Sequence, residues 1–127
     1  MTDTNSKTVM IIEDEPDAAE LFAEMMRVSG FRVLKVSAST SAIAAIARQK
    51  PDVIILDIMM PDVSGLEILR DMRREVELAQ IPVVIVSAKS LPHDVQQGLE
   101  AGAFIYLAKP VGFADLKDAV ERALEDS

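Results

Sequence analysis

The sequence predicts an α/β fold in which one doubly wound sheet of five parallel strands carries helices on both faces. Two observations predict it. Short apolar runs alternate from end to end with segments of helical period, the pattern of repeated β-α units. Three of the five runs are nearly continuous in apolar residues, as strands covered on both faces require. Right-handed crossovers then distribute five helices over the two faces.

The elements follow in order. TVMII (8–12) is the first strand. Pro16 suits the first turn of a helix and Gly30 its stop. Between them Ala18, Leu21, Met25 and Val28 recur at i, i+3, i+7 and i+10, which predicts a helix over 16–29 with that stripe inward. FRVLKV (31–36) is the second strand, and Ile43, Ile46 and Ala47 mark the next helix. DVIIL (52–56) runs into the break at Pro61, Asp62 and Gly65. Asp62 and Ser64 there read as turn and N-cap residues of a helix over 65–75 that carries Leu66, Leu69 and Met72 inward. PVVIV (82–86) is the fourth strand. Residues 90–101 form a poorer helical pattern, because Gly98 interrupts it and only Val95 and Leu99 point inward; this segment is expected to be the mobile one. AFIYL (103–107) is the fifth strand, and Phe113, Leu116, Val120 and Ala123 stripe a final helix over 112–125.

A chain of 127 residues is one domain by length. Residues 1–7 (MTDTNSK) are expected to be a disordered polar tail and 8–125 the domain. No apolar run approaches the roughly 20 residues that span a bilayer, and the polar start has no signal-peptide core. With no cysteine, disulfides, thiolate chemistry and Cys-based zinc sites are excluded, so a cytoplasmic location is expected. The net charge is -8, from 13 basic and 21 acidic residues. Such a surface repels phosphate backbones, and no direct nucleic-acid binding is expected. Arg70, Arg73 and Arg74 are the visible basic cluster and read as a solvated helix face.

In an open parallel sheet the site lies beyond the carboxyl ends of the strands. Residues following the apolar runs are Glu13 and Asp14, then Asp57, then Ser87, then Lys109 and Pro110. Three carboxylates close together repel unless a cation joins them. Oxygen-only donors point to a hard ion, and a few carboxylates plus waters suit Mg²⁺. Together with a lysine and a small hydroxyl they suit phosphoryl transfer, and aspartate is a competent acceptor. Asp57 stands alone at its strand end, whereas Glu13 and Asp14 are adjacent, so Asp57 is the nucleophile candidate.

IIEDEP, VIILDIMMPDVSG, VIVSAK and YLAKP, in this order and spacing, resemble the receiver domain of bacterial two-component response regulators over residues 8 to 125. The resemblance implies a CheY-like fold with strand order 2-1-3-4-5. It implies Asp57 as phospho-acceptor and a Mg²⁺ site of Asp14, Asp57 and the Met59 carbonyl, with Glu13 acting mainly through metal-bound water. Ser87 resembles the switch hydroxyl, Tyr106 the aromatic that rotates with it, and Lys109 the phosphate-pairing lysine, followed by Pro110 across a typically cis bond. Glu13-Asp14 stands where Asp-Asp is common, and Ser87 where Thr is common; both affect rates more than function.

The implied partners are a sensor histidine kinase or histidine phosphotransfer protein and a downstream protein that meets the face formed by 90–125, with a phosphorylation-dependent dimer among the allowed assemblies. Such a domain is a signalling switch that catalyses only its own phosphorylation and dephosphorylation. A Mg²⁺-dependent phosphatase with an aspartate nucleophile would need an acid two residues after Asp57, where Met59 stands. A pseudo-receiver would not need Glu13, Asp14, Asp57, Ser87 and Lys109 together. Plainer readings exist for single residues: Glu13 and Asp14 as acids at a helix N-terminus, Tyr106 as a half-buried core aromatic, His93 as an exposed loop residue, and Met25, Met26, Met59, Met60 and Met72 as core filler or site rim.

Overall fold

The structure is a computed structural model that describes residues 7–36, 41–61 and 63–126. The tail expected at 1–7, save Lys7, and the turn role of Asp62 lie outside the described residues. The elements are β1 (Thr8–Ile12), α1 (Pro16–Val28), β2 (Arg32–Val36), α2 (Ala42–Gln49), β3 (Val53–Leu56), α3 (Gly65–Arg74), β4 (Val83–Ser87), α4 (Pro92–Glu100), β5 (Ile105–Ala108) and α5 (Phe113–Asp126). All strand pairs are parallel, and the sheet order is β2-β1-β3-β4-β5.

The continuous apolar runs divide by strand alternation into two cores. Val9, Ile11, Val53, Ile55, Val84 and Val86 face α1 and α5, where they meet Phe22, Met26, Leu116 and Val120. Met10, Ile12, Ile54, Leu56, Val83 and Ile85 face the other side, against Ile46, Leu69 and Met72 of α2 and α3. Burial on both faces is why β1, β3 and β4 have no polar period, whereas the edge strand β2 is half-exposed.

Register brings the strand ends level. Ile12 pairs with both Val36 and Leu56, and Ser87 pairs with Ala108. The strands β4 and β5 are shifted from expectation, so Ser87 is the last residue of β4 instead of the first after it. Helix ends follow local chemistry. Glu15 caps α1 by accepting from the Ala18 amide at 2.8 Å, Pro16 opens the helix, and Gly30 ends it at φ 95°. Ser64 caps α3 as expected, its Oγ accepting from the Leu66 amide at 3.1 Å.

Four helix faces differ from the sequence expectation. In α1 the buried residues are Ala19, Phe22, Ala23 and Met26, one step round from the expected stripe, and Leu21 and Val28 face outward. Both stripes are apolar, and Ala18 and Met25 of the expected one still pack against the edge of the same core. In α2 Ala42 and Ala45 are buried with Ile46, while Ala47 is exposed. In α5 Leu116, Val120 and Ala123 are buried, whereas Phe113, the first helical residue, is exposed. In α4 Leu99 is exposed and Val95 half-buried; the inward residues are Asp94 and Gly98. Gly98 does not interrupt the helix but seats it, since a Cβ there would stand 2.6 Å from the Tyr106 ring and 3.0 Å from Ile85. His93 lies in the first turn of α4, exposed as expected but helical.

Gly65 starts α3 hard against the end of β3. A Cβ there would lie 2.6 Å from the Asp57 carbonyl oxygen and 2.7 Å from Ile58 Cα, both main-chain atoms that cannot swing aside. Gly65→Ala is therefore expected to cost about 2 kcal/mol, a fall in Tm of roughly 6–10 °C by thermal denaturation. An unchanged Tm would contradict this packing.

Candidate functional site

Main-chain bonds at the carboxyl edge of the sheet hold the candidate side chains in a common frame. The amide of Glu13 donates to the Val36 carbonyl at 3.2 Å, that of Asp57 to Ile12 at 3.0 Å, and that of Lys109 to Ser87 at 2.9 Å. The loops beyond β1, β3, β4 and β5 therefore leave the sheet at one level.

Three of the expected residues meet directly. Lys109 Nζ lies 2.8 Å from Glu13 Oε1 and 3.4 Å from Asp57 Oδ2. Glu13 and Asp57 are almost fully buried, at 3% and 5% exposure, so the lysine supplies the countercharge such carboxylates require. Burial alone would pull the Lys109 ammonium down, but the hydrogen bond to Glu13 and the charge of Asp57 outweigh it and hold its pKa above the ordinary lysine value. The remaining oxygens are also engaged: Glu13 Oε2 accepts from the Glu15 amide at 3.1 Å, and Asp57 Oδ1 from the Met59 amide at 3.0 Å. The Lys109–Pro110 peptide bond is cis.

The other expected residues lie around this centre. Asp14 is half-buried at the end of β1, next to Glu13. Ser87 is fully buried, and its Oγ accepts from the Lys89 amide at 3.0 Å. Tyr106 packs beneath α4 against Gly98, and its hydroxyl donates to the Lys89 carbonyl. Burial raises its phenol above the ordinary tyrosine value, with Ser87 acting in the opposite sense. Ser87 and Tyr106 thus hold the same short loop from two sides. The Met59 side chain is 53% exposed at the rim. A groove of about 530 Å³ opens there, between the β3–α3 loop and α4, with Met59, Met60, Leu66, Lys89 and Gln97 in its wall.

Among the described residues, no three acids or histidines form a ready-made metal cage. The donors present at the centre are all carboxylate oxygens, gathered about one ammonium. That set fits Mg²⁺, which is commonly held by one or two carboxylates and completes its octahedron with waters and phosphate oxygens.

Two residues, one beside the site and one at the opposite end of the sheet, escape the sequence reading. Asp94 is 4% exposed; its Oδ2 accepts from the Leu91 amide at 3.1 Å, and its Oδ1 lies 3.3 Å from His93 Nε2 and 3.9 Å from Lys89 Nζ. The signal was present: Pro92 at a helix start with an acid two residues on is an N-terminal capping pattern. Arg73 is the second. It is not on a solvated face with Arg70 and Arg74 but half-buried, and it donates to main-chain carbonyls.

The chain matches the family model of the response regulator receiver domain over residues 9–121. It is 38% identical to TcrX of Mycobacterium tuberculosis over 109 residues, which is 86% of this chain and 46% of TcrX. It thus spans about half the length of that relative. The polar-differentiation response regulator DivK of Brucella ovis is 30% identical over 122 residues, covering 96% of this chain and 99% of DivK. Among solved structures, the receiver domain of the sensor histidine kinase PA1611 of Pseudomonas aeruginosa, which has a magnesium ion coordinated in its active-site cleft, superposes with a TM-score of 0.86. That likeness covers 94% of this chain and 98% of the other at 28% identity. Fold, strand-end constellation and sequence agree, and the chain belongs to the response regulator receiver domain family of two-component signalling.

Proposed function

We propose that the domain, residues 8–125, accepts a phosphoryl group on Asp57 from a phosphohistidine of a sensor kinase or phosphotransfer protein, and that the modified state changes its partner binding. The observation that carries this reading is the Lys109 ammonium bridging Asp57 and Glu13 at the sheet edge. Asp57 Oδ2, the oxygen facing Lys109, attacks phosphorus as the bond to the donor nitrogen breaks, leaving a neutral imidazole once that nitrogen is protonated. The Met59 amide holds Oδ1 and so fixes which oxygen is presented. Lys109 then offsets the charge on the phosphoryl oxygens, and Ser87 Oγ, given up by the Lys89 amide, supplies a hydroxyl donor. A Mg²⁺ held by Glu13, Asp14, Asp57 and the Met59 carbonyl would supply the rest of the positive charge. In this reading the domain is a signalling switch that catalyses only its own phosphorylation and dephosphorylation.

Two surfaces support the partner assignment. Leu21, Phe22, Pro110 and Val111 form an apolar groove of about 330 Å³ beside Lys109, a rim suited to a helix that brings its phosphohistidine to the site. Leu91, Leu99 and Phe113 are exposed on the 90–125 face, which suits the downstream partner or a phosphorylation-dependent second copy. No helix among the described residues is long and apolar enough to cross a membrane; a cytoplasmic location is part of the proposal.

The test is intact-mass analysis after incubation with acetyl phosphate, with and without Mg²⁺. A Mg²⁺-dependent gain of one phosphoryl mass supports the reading; a folded chain that gains none from this donor or from a phosphohistidine donor contradicts it. The same assay measures lifetime. Met59 is apolar and stands at the rim, so it cannot orient a hydrolytic water; Met59→Asn is expected to shorten the phosphorylated state several-fold, by about 1 kcal/mol of barrier. Unchanged decay would show that this rim does not govern hydrolysis.

A further inference from the structure

Helix α3 begins against the Asp57 main chain and carries in its last turn Arg73, a residue the phosphoryl chemistry does not use. Its guanidinium reaches three carbonyls on two other segments. Nη2 and Nε donate to Gly102 at 2.7 and 3.3 Å, and Nη1 donates to Ala79 at 3.1 Å and Ile81 at 2.9 Å. Among the described residues it forms no ion pair. The fork therefore acts on the main chain alone, tying the α3–β4 connection to the turn between α4 and β5. Charged donors make the stronger hydrogen bonds.

Gly102 is what admits it. The residue has φ 114°, and a Cβ there would stand 2.7 Å from Arg73 Nε. The same turn closes α4: the amides of Ala101, Gly102 and Ala103 donate to Gln97, Leu99 and Gly98. Holding the Gly102 carbonyl thus holds the last turn of α4, which contains Gly98. Gly98 is the point at which α4 rests on the Tyr106 ring, and the Tyr106 hydroxyl bonds the carbonyl of Lys89, the same residue whose amide Ser87 holds.

We infer that Arg73 is a positioning residue that sets the seat of α4 over Tyr106 and so couples the far end of α3 to the Tyr106–Lys89–Ser87 string. Its value in signalling rests on the phospho-acceptor reading of Asp57; the clamp itself does not. A rod of ten residues, about 15 Å long, has one end at the Asp57 carbonyl and the other in the clamp. Movement at the acceptor loop is passed to α4 through that rod.

The chain has one tyrosine and no tryptophan, so intrinsic fluorescence reports Tyr106 alone. The experiment compares the full native chain with Arg73→Met, Arg73→Lys, and Met26→Ala in the opposite core as a control for general destabilisation. In the unphosphorylated chain, Arg73→Met is expected to speed amide exchange over 98–106 by roughly tenfold or more and to raise acrylamide quenching of Tyr106. Arg73→Lys, which still reaches a carbonyl but lacks the fork, recovers part of the protection. After acetyl phosphate, the variant and native chains gain the same mass, while the accompanying change in Tyr106 emission falls by about half or more in Arg73→Met. Native protection at 98–106, equal loosening in Met26→Ala at matched Tm, or equal emission changes would overturn the inference. If the native chain takes no phosphoryl group, the reading of Asp57 falls, and the exchange and quenching results still decide the clamp.

Discussion

Asp57→Asn is expected to abolish phosphorylation while leaving the fold intact. The amide has the shape of the carboxylate and keeps an oxygen for the Met59 amide, which now donates to Asp57 Oδ1 at 3.0 Å. What disappears is the anionic oxygen that faces Lys109. The amide group that replaces it is a poor nucleophile toward phosphorus, so no donor, small molecule or protein, should add a phosphoryl mass. Stability should change little, within about 1 kcal/mol, because a buried ion-pair member is exchanged for a neutral group of the same volume while Lys109 retains Glu13. Intact mass and thermal denaturation together check both halves. A phosphoryl gain in this variant would move the acceptor to another acid.

Lys109→Met carries the second large effect and separates the two roles of the lysine. Glu13 and Asp57 are 3% and 5% exposed, and their shared cation would be gone, leaving two buried carboxylates to repel. Removing one partner of a fully buried pair costs roughly 3–5 kcal/mol; with Lys109 partly open to solvent, about 2 kcal/mol is expected. The variant should melt lower, and Mg²⁺ should restore more of its stability than it adds to the native chain, because the ion then replaces a missing charge. Phosphorylation by acetyl phosphate should slow by about 10²–10³-fold, the usual loss when one charge-stabilising donor is deleted, and still reach Asp57 in the end. Native Tm and native rate would show that the bridge serves neither stability nor chemistry.

The parts of this protein that were legible in its sequence are those set by pattern over several residues. The five parallel strands follow from apolar runs bounded by turns, and the meeting of Glu13, Asp57 and Lys109 follows from their places after those runs. Asp57 and Glu13 meet Lys109 because parallel strands end on one edge, so strand ends distant in sequence converge in space. What was not legible depends on contacts between elements. The face of α1 could not be chosen from its own residues, since Leu21 and Phe22 are equally apolar and only the sheet decides between them. Gly98 read as a defect because the Tyr106 ring that requires it lies across a turn, on β5. Arg73 read as one of three surface cations; its half-burial depends on three carbonyls supplied by other segments, which no local pattern announces.

If Asp57 is the acceptor, the modification can be located on it chemically. Native protein is treated with acetyl phosphate and Mg²⁺, then reduced with borohydride, which converts an aspartyl phosphate to homoserine, and the digested peptides are sequenced by mass spectrometry. Homoserine is expected at position 57 alone, in an amount that follows the phosphoryl mass and vanishes without Mg²⁺. Homoserine at position 14, or a phosphoryl group on Ser87 that resists reduction, would contradict it.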